Sequence, residues 1–169
     1  MKSMVRWSIA FVMMCAFVLI LSGQTQSDSD AVGAQGRKPV MMYRFYEGKD
    51  GLSHVEKIEL KNFDEHDVAK LMAVSGAEIH RMKPSAPGTV LSGPFHPESQ
   101  RLYVFNLFGH ERMEFSGGET IDLNPGDIEL VEDTAPSKGH RGLTLGPEDR
   151  VTLSLPITDQ TVTRDSILK

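Results

Sequence analysis

Cysteine is nearly absent from this 169-residue chain: Cys15 is the single one, tryptophan also occurs once, and aromatic residues make up only 7%. One thiol cannot close a disulfide within the chain, so a domain built from it stands on core packing. Basic residues are short as well, 18 Lys and Arg against 23 Asp and Glu, for a formal net charge of −5. No Lys/Arg cluster interleaved with aromatics offers the footprint that phosphate contacts need, so no nucleic-acid partner is expected. Also missing are a phosphate-cradling glycine loop, an internal repeat, and a nucleophile-elbow sequence around Ser92, Ser99 or Ser137, which leaves a serine hydrolase without support. With 40% hydrophobic residues and a moderate charge, wholesale disorder is excluded and one domain is expected.

The apolar residues are unevenly spread. An uninterrupted hydrophobic run over residues 9–21 follows a short stretch carrying Lys2 and Arg6, and a polar, small-residue segment comes after it. The run falls short of the roughly 20 residues that a spanning helix needs. Together these features predict a secretory signal peptide over residues 1–34. Ala34 with Val32 at −3 suits the junction, and Gly23 is a second candidate. The alternative is an uncleaved membrane anchor lengthened by residues 4–7. Both predict export to the periplasm or beyond, and the membrane is met only if the segment is retained. Cys15 lies inside the run and is not placed as a lipobox cysteine, so the exported part has no thiol and no cysteine mechanism. From Gln24 to Lys38 the composition is mainly Ser, Asp, Gly, Gln and Ala with almost nothing to bury, so a linker starts within residues 1–34 and continues over 35–39; the folded domain is expected over 40–157, with a tail over 158–169.

Within the domain, residues 41–46 and 54–60 flank Lys49-Asp50-Gly51 and predict a hairpin. One helix is expected next, with Asp64 as its cap, Asp67 in its first turn, Val68, Leu71 and Met72 on one face, and Gly76 as its stop. Beyond it every segment reads as a strand: residues 78–82, 102–108, 112–115, 120–123, 128–131, 141–145 and 151–155. Gly117-Gly118 and Asn124-Pro125-Gly126-Asp127 supply the turns. Short strands at close spacing predict an antiparallel sandwich or barrel with one short outer helix.

Residues 93–109 place His96, Glu98 and a nearly apolar strand ahead of Gly109, and residues 124–140 run from Pro125-Gly126-Asp127 through Glu132-Asp133-Thr134 to Lys138-Gly139-His140. In that order, around the Gly117-Gly118 hairpin, these stretches resemble the two motifs of the cupins, over roughly residues 77–155. The likeness is to the small single-domain members of that superfamily. It implies a mainly β fold, an antiparallel cupin-type β-barrel (jelly roll) with one short peripheral helix, and an interior pocket. His96 stands at the family's first histidine position and His140 at its third; Glu98 stands at the second histidine position and Leu102 at the glutamate position.

Period-two alternation puts His96, Glu98, Leu102, Val104 and Asn106 on one face, so the expected ligand pocket holds His96, Glu98, Leu102, Asn106 and His140. His96, Glu98 and His140 would offer two imidazoles and a carboxylate to one divalent Fe, Mn or Zn ion. Alternatively the two histidines hydrogen-bond each other, Glu98 or Asn106 with no metal. Asn106 either orients a ligand or ties two strands. Arg101 and Tyr103, on the opposite face, read as packing and surface charge. Glu132, Asp133 and Lys138 read as solvated loop charges or as a rim for an anionic ligand, and His54, His66, His80 and His110 as surface or turn residues. The function expected is an exported single-domain protein whose pocket binds a small polar molecule. A metal-dependent oxygenase or isomerase using His96, Glu98 and His140 is the first alternative, and a non-catalytic interaction module the second. A homodimer through residues 40–42 is a further possibility.

Overall fold

The computed structural model describes residues 38–61 and 63–161. The expected signal peptide and the greater part of the linker and tail lie outside the described residues. Nine strands and no helix are found among the described residues. They are β1 (Val40–Glu47), β2 (Ser53–Leu60), β3 (Glu78–Met82), β4 (Leu102–Phe108), β5 (His110–Phe115), β6 (Thr120–Leu123), β7 (Ile128–Val131), β8 (His140–Leu145) and β9 (Arg150–Pro156).

The strands form two sheets, a large one in the order β2-β1-β7-β4-β9-β3 and a small one in the order β6-β5-β8. β1 and β7 run parallel, and the other pairs are antiparallel. The expected hairpins are both present: β1 pairs β2 from Val40↔Leu60 to Glu47↔Ser53, and β5 pairs β6 across Gly117-Gly118. At the first turn Asp50 Oδ1 accepts the Leu52 amide at 3.1 Å, the local side-chain bond that favours Asp in turns.

The sheets do not close into a barrel, which corrects the expected architecture to a two-layer arrangement. The chain beside β8 shows why. It carries Pro84, Pro87, Pro94 and Pro97, which lack the amide hydrogen a ladder needs. Beside β8 it makes the isolated bridge His96↔His140 and a backbone bond from the Ser85 amide to the Thr144 carbonyl at 3.4 Å, without a continuous ladder among the described residues.

The expected helix is likewise absent. Asp64 does not start a helix; its Oδ1 accepts the amides of His66 at 2.9 Å and Val68 at 3.0 Å, and Asp67 takes φ +60°. This local turn satisfies the same amides that a helix would have used. The following residues run across the large sheet, where the Met72 amide donates to the Tyr103 hydroxyl at 3.3 Å and the Thr158 amide to the Ala73 carbonyl at 2.8 Å.

Alternation on the large sheet sends its side chains into two apolar layers. Met42, Ile58, Leu60, Tyr103, Leu130 and Ile157 form the outer layer, covered by Leu71 and Met72. Phe45, Leu102, Val104 and Val131 face the small sheet's Met113, Phe115 and Leu123. Met42, part of the stretch expected to pair with another copy, is fully buried in the outer layer. Burying a large apolar side chain is worth about 1.5–3 kcal/mol, so both layers contribute to holding the large sheet.

Candidate functional site

The inner faces of β4, β5, β7 and β9 are set by period two: Leu102 and Val104, Glu111 and Met113, Glu129 and Val131, and Arg150, Thr152 and Ser154. Between them lies a cavity of about 360 Å³. One flank is apolar, with Phe45, Val104, Met113 and Val131; the other is polar, with Glu111, Glu129, Arg150, Thr152 and Ser154. Exposed residues of β3 (Glu78, His80) and of the β8-flanking chain (His96, Ser99) rim it.

Arg150 anchors the polar flank. Gly109, at φ +72°, lets the chain turn between β4 and β5, and a Cβ there would meet the Asp149 carbonyl at 2.6 Å. That close approach brings β9 alongside the β4–β5 corner. Arg150 Nε then donates to Asn106 Oδ1 at 2.9 Å and Nη2 to Glu129 Oε1 at 2.9 Å, while Nη1 is ion-paired with Glu111. All three charged side chains are at most 8% exposed. Two carboxylates thus share one guanidinium in a place with little water. Burial pushes the Glu129 carboxyl up to about 8, with Glu111 adding to the rise and Arg150 opposing it. Burial also raises Glu111. A buried acid without a full counter-charge keeps its proton.

His140 stands at the start of β8 with its ring between Phe45, Phe115 and His96. Its Nδ1 is bonded to Asp133 Oδ2 at 2.6 Å, and the same oxygen accepts the Ser53 hydroxyl at 2.5 Å. Asp133 Oδ1 is buried with no hydrogen-bond partner among the described residues. Burial works against the imidazolium, but the bond to Asp133 and the charges of Asp133, Glu98 and Glu129 outweigh it, and the pKa is raised. With Nδ1 taken, Nε2 is the ring nitrogen that a ligand could engage. Gly139 makes this placement possible, because at φ +82° it passes so close to the His96 carbonyl that a Cβ would collide with it.

Of the residues expected at the site, His96, Glu98, Leu102 and His140 line the one cavity. Asn106, 2% exposed, lies behind the wall and ties β4 to β9 through Arg150. His96 and His140 exchange two backbone hydrogen bonds of 3.0 Å, and their rings stand 5.3 Å apart. Glu98 turns Oε1 to the amide of Ser99 at 2.9 Å and to its hydroxyl. Among the described residues no three His, Cys, Asp or Glu side chains are grouped so as to hold a metal ion. His96, Glu98 and His140 are not grouped as a ligand sphere in this arrangement.

No protein-family model matches the chain, and no curated protein matches it. Among solved structures it is similar to a Salmonella typhimurium protein provisionally described as ethanolamine utilization protein Q. The identity is 14% over 72% of this chain and 98% of that one, with a TM-score of 0.32. A likeness of that degree carries no argument about activity or ligand.

Several residues of the site escaped the sequence reading. Asp133, read among solvated loop charges, is fully buried beneath His140, and Glu132 pairs with Arg44 and Arg101. Arg101, read as surface charge, is 8% exposed and also donates to the Gln160 carbonyl at 3.0 Å. Glu111, Glu129 and Arg150 were not singled out. The signal was there in two places: Glu129 interrupts the apolar run of β7, and Arg150, Thr152 and Ser154 alternate with Val151, Leu153 and Leu155. A strand with one polar and one apolar face beside an apolar sheet needs something polar to look at.

Proposed function

We propose that this chain is an exported, single-domain, cupin-like binding protein that holds a small polar molecule in the cavity between its two sheets. One observation carries the reading. Thr152 and Ser154 are 2% and 6% exposed, line the cavity, and their hydroxyls make no hydrogen bond among the described residues. Hydroxyls inside a domain ordinarily find a partner, and here those of Thr152 and Ser154 are left to the same cavity that His140 lines. The cavity lies within the range of small-molecule sites, which combine apolar walls with a few placed polar groups. Export rests on the leader at residues 1–34, and the cupin likeness on the motifs around His96, Gly109, Pro125-Gly126-Asp127 and His140.

The test is a thermal-shift screen of the full chain, produced with export intact, against sugars, polyols, amines, amino acids and hydroxy acids. A saturable stabilisation is expected, following RT ln(1 + [L]/Kd). It should be weakened in Thr152→Val and in Ser154→Ala, whose side chains line the cavity. A panel with no saturable binder, or one whose effect is unchanged by both substitutions, contradicts the reading.

A further inference from the structure

Charge around the cavity is lopsided. Glu78, Glu98, Glu111 and Glu129 line it, against one guanidinium, that of Arg150, and no lysine among the described lining residues. The deepest two, Glu111 and Glu129, are 8% and 3% exposed and both depend on Arg150. Glu129 uses only Oε1 in that pairing; its Oε2 makes no hydrogen bond among the described residues. Thr152 and Ser154, each nine-tenths buried as a residue, lie on the same flank with hydroxyls that make no hydrogen bond among the described residues. Across from them, Phe45, Val104 and Val131 present a purely apolar wall. An occupant that satisfies both flanks carries positive charge and hydrogen-bond donors at one end and hydrocarbon along the other.

We propose that the cavity takes a small primary ammonium ion with a short apolar body, its NH3+ group set among Glu129, Glu111 and Thr152 and its chain laid along Phe45, Val104 and Val131. This rests on the cavity being a ligand site, as argued above. Three N–H donors match the carboxylate oxygens and hydroxyls on that flank.

Occupation and protonation are linked. Glu129 faces Arg150 from β9, Glu111 from β5, His140 from β8 and Asp127 just ahead of its own strand, with Glu78, His80, His96 and Glu98 at the rim. Before the ligand arrives, one guanidinium serves two carboxylates, and the surplus charge is removed by a proton on Glu129. An incoming ammonium takes over that role, so the Glu129 proton leaves to solvent as the cation enters. The His140 imidazolium opposes the same cation, and its loss of a proton works in the same direction. Affinity therefore rises with pH as long as the amine itself stays protonated.

The probes are three matched molecules, n-butylammonium, 1-butanol and butyrate, titrated into the isotopically labelled full chain and followed by NMR shifts. Butylammonium is expected to saturate with shifts centred on Val104, Glu129, Val131 and Thr152. The neutral and anionic analogues should bind at least about tenfold more weakly. Between about pH 6 and pH 8.5 the butylammonium affinity should rise about tenfold or more. Glu129→Gln should weaken it about tenfold and flatten that pH dependence. Thr152→Val, which leaves the charge cluster intact, should weaken it about threefold to tenfold without flattening it. Equal binding of butanol at the same residues overturns the ammonium assignment and leaves the cavity as a ligand site. Stronger binding of butyrate overturns it in the same way. Zinc ions shifting the same residues and displacing butylammonium make the cavity a metal site, which also overturns the proposal. Absence of shifts at the cavity with all three overturns both this proposal and the reading it rests on.

Discussion

Replacing Glu129 by glutamine separates the cost of burying this acid from every other feature of the domain. Glutamine keeps a carbonyl oxygen for Arg150 Nη2 and is close in shape to the protonated acid, so Arg150 is left with Glu111 as its one charged partner. The Glu129 carboxyl titrates near 8 in the folded chain against an ordinary 4.5. The raised value fixes the sign: between those two pH values the unfolded chain has released the proton while the folded chain still holds it. The contribution of Glu129 to stability is therefore complete below about pH 4.5 and falls as pH rises toward 8. At about 1.4 kcal/mol per pH unit the full effect is at most about 5 kcal/mol. Urea unfolding at fixed pH measures it. Near pH 5, Glu129→Gln should lie within about 1 kcal/mol of the wild type, and near pH 9 it should be more stable by about 3–5 kcal/mol. Parallel stability curves for the two proteins from pH 5 to 9 would refute the account of two carboxylates sharing one guanidinium.

Other expectations follow from the same contacts. Asp133→Asn removes the acceptor charge behind His140, so the imidazole titration followed by NMR should move to lower pH; an unmoved midpoint means that Asp133 does not hold the ring. Ser53→Ala leaves Asp133 with one donor fewer and should cost about 1–3 kcal/mol in chemical unfolding. Gly139→Ala puts a Cβ against the His96 carbonyl at a positive φ; a loss of at least about 2 kcal/mol is expected in thermal or urea unfolding, and a neutral effect would mean the His96–His140 bridge is not formed. His54 is bonded through Nδ1 to Glu119 and through Nε2 to Asp50, and the bond to Glu119 does most to raise its pKa. Its stabilising pairings are full below about pH 6.5 and lost as pH rises through the raised value. The advantage of wild type over His54→Gln, about 1 kcal/mol at most, should accordingly shrink from about pH 6 to pH 9, and an advantage that grows over that range would reverse the assignment.

Strands and hairpins were legible because their signals are local. Lys49-Asp50-Gly51 and Gly117-Gly118 mark turns, and period-two alternation needs only neighbouring residues. The stretch from Asp64 to Gly76 misled for a related reason. Asp is equally suited to cap a helix and to close a turn on its own amides, and contacts distant in sequence, Tyr103 to Met72 and Thr158 to Ala73, decide between them. Barrel closure was a property of the family resemblance, and the prolines beside β8 are where this chain departs from it.

At the site, His96, Glu98, Leu102 and His140 could be placed together from spacing and likeness alone. The buried acids could not. Whether Asp133 is a loop charge or the support of a histidine depends on Ser53 and His140, 80 and 7 residues away. Glu111, Glu129 and Arg150 come from three strands that are joined only in the folded sheets, so no one segment displays the cluster.

Thr152 and Ser154 offer the most direct test of the claim that the cavity is kept polar for a ligand, because the measurement needs no ligand. Their side chains line the cavity, and their hydroxyls make no hydrogen bond among the described residues, so the fold itself does not depend on them. The double variant Thr152→Val, Ser154→Ala should therefore unfold in urea at the same or higher concentration than the wild type. A loss of more than about 1 kcal/mol would contradict the account, because the two hydroxyls would then be serving the fold and not a bound molecule.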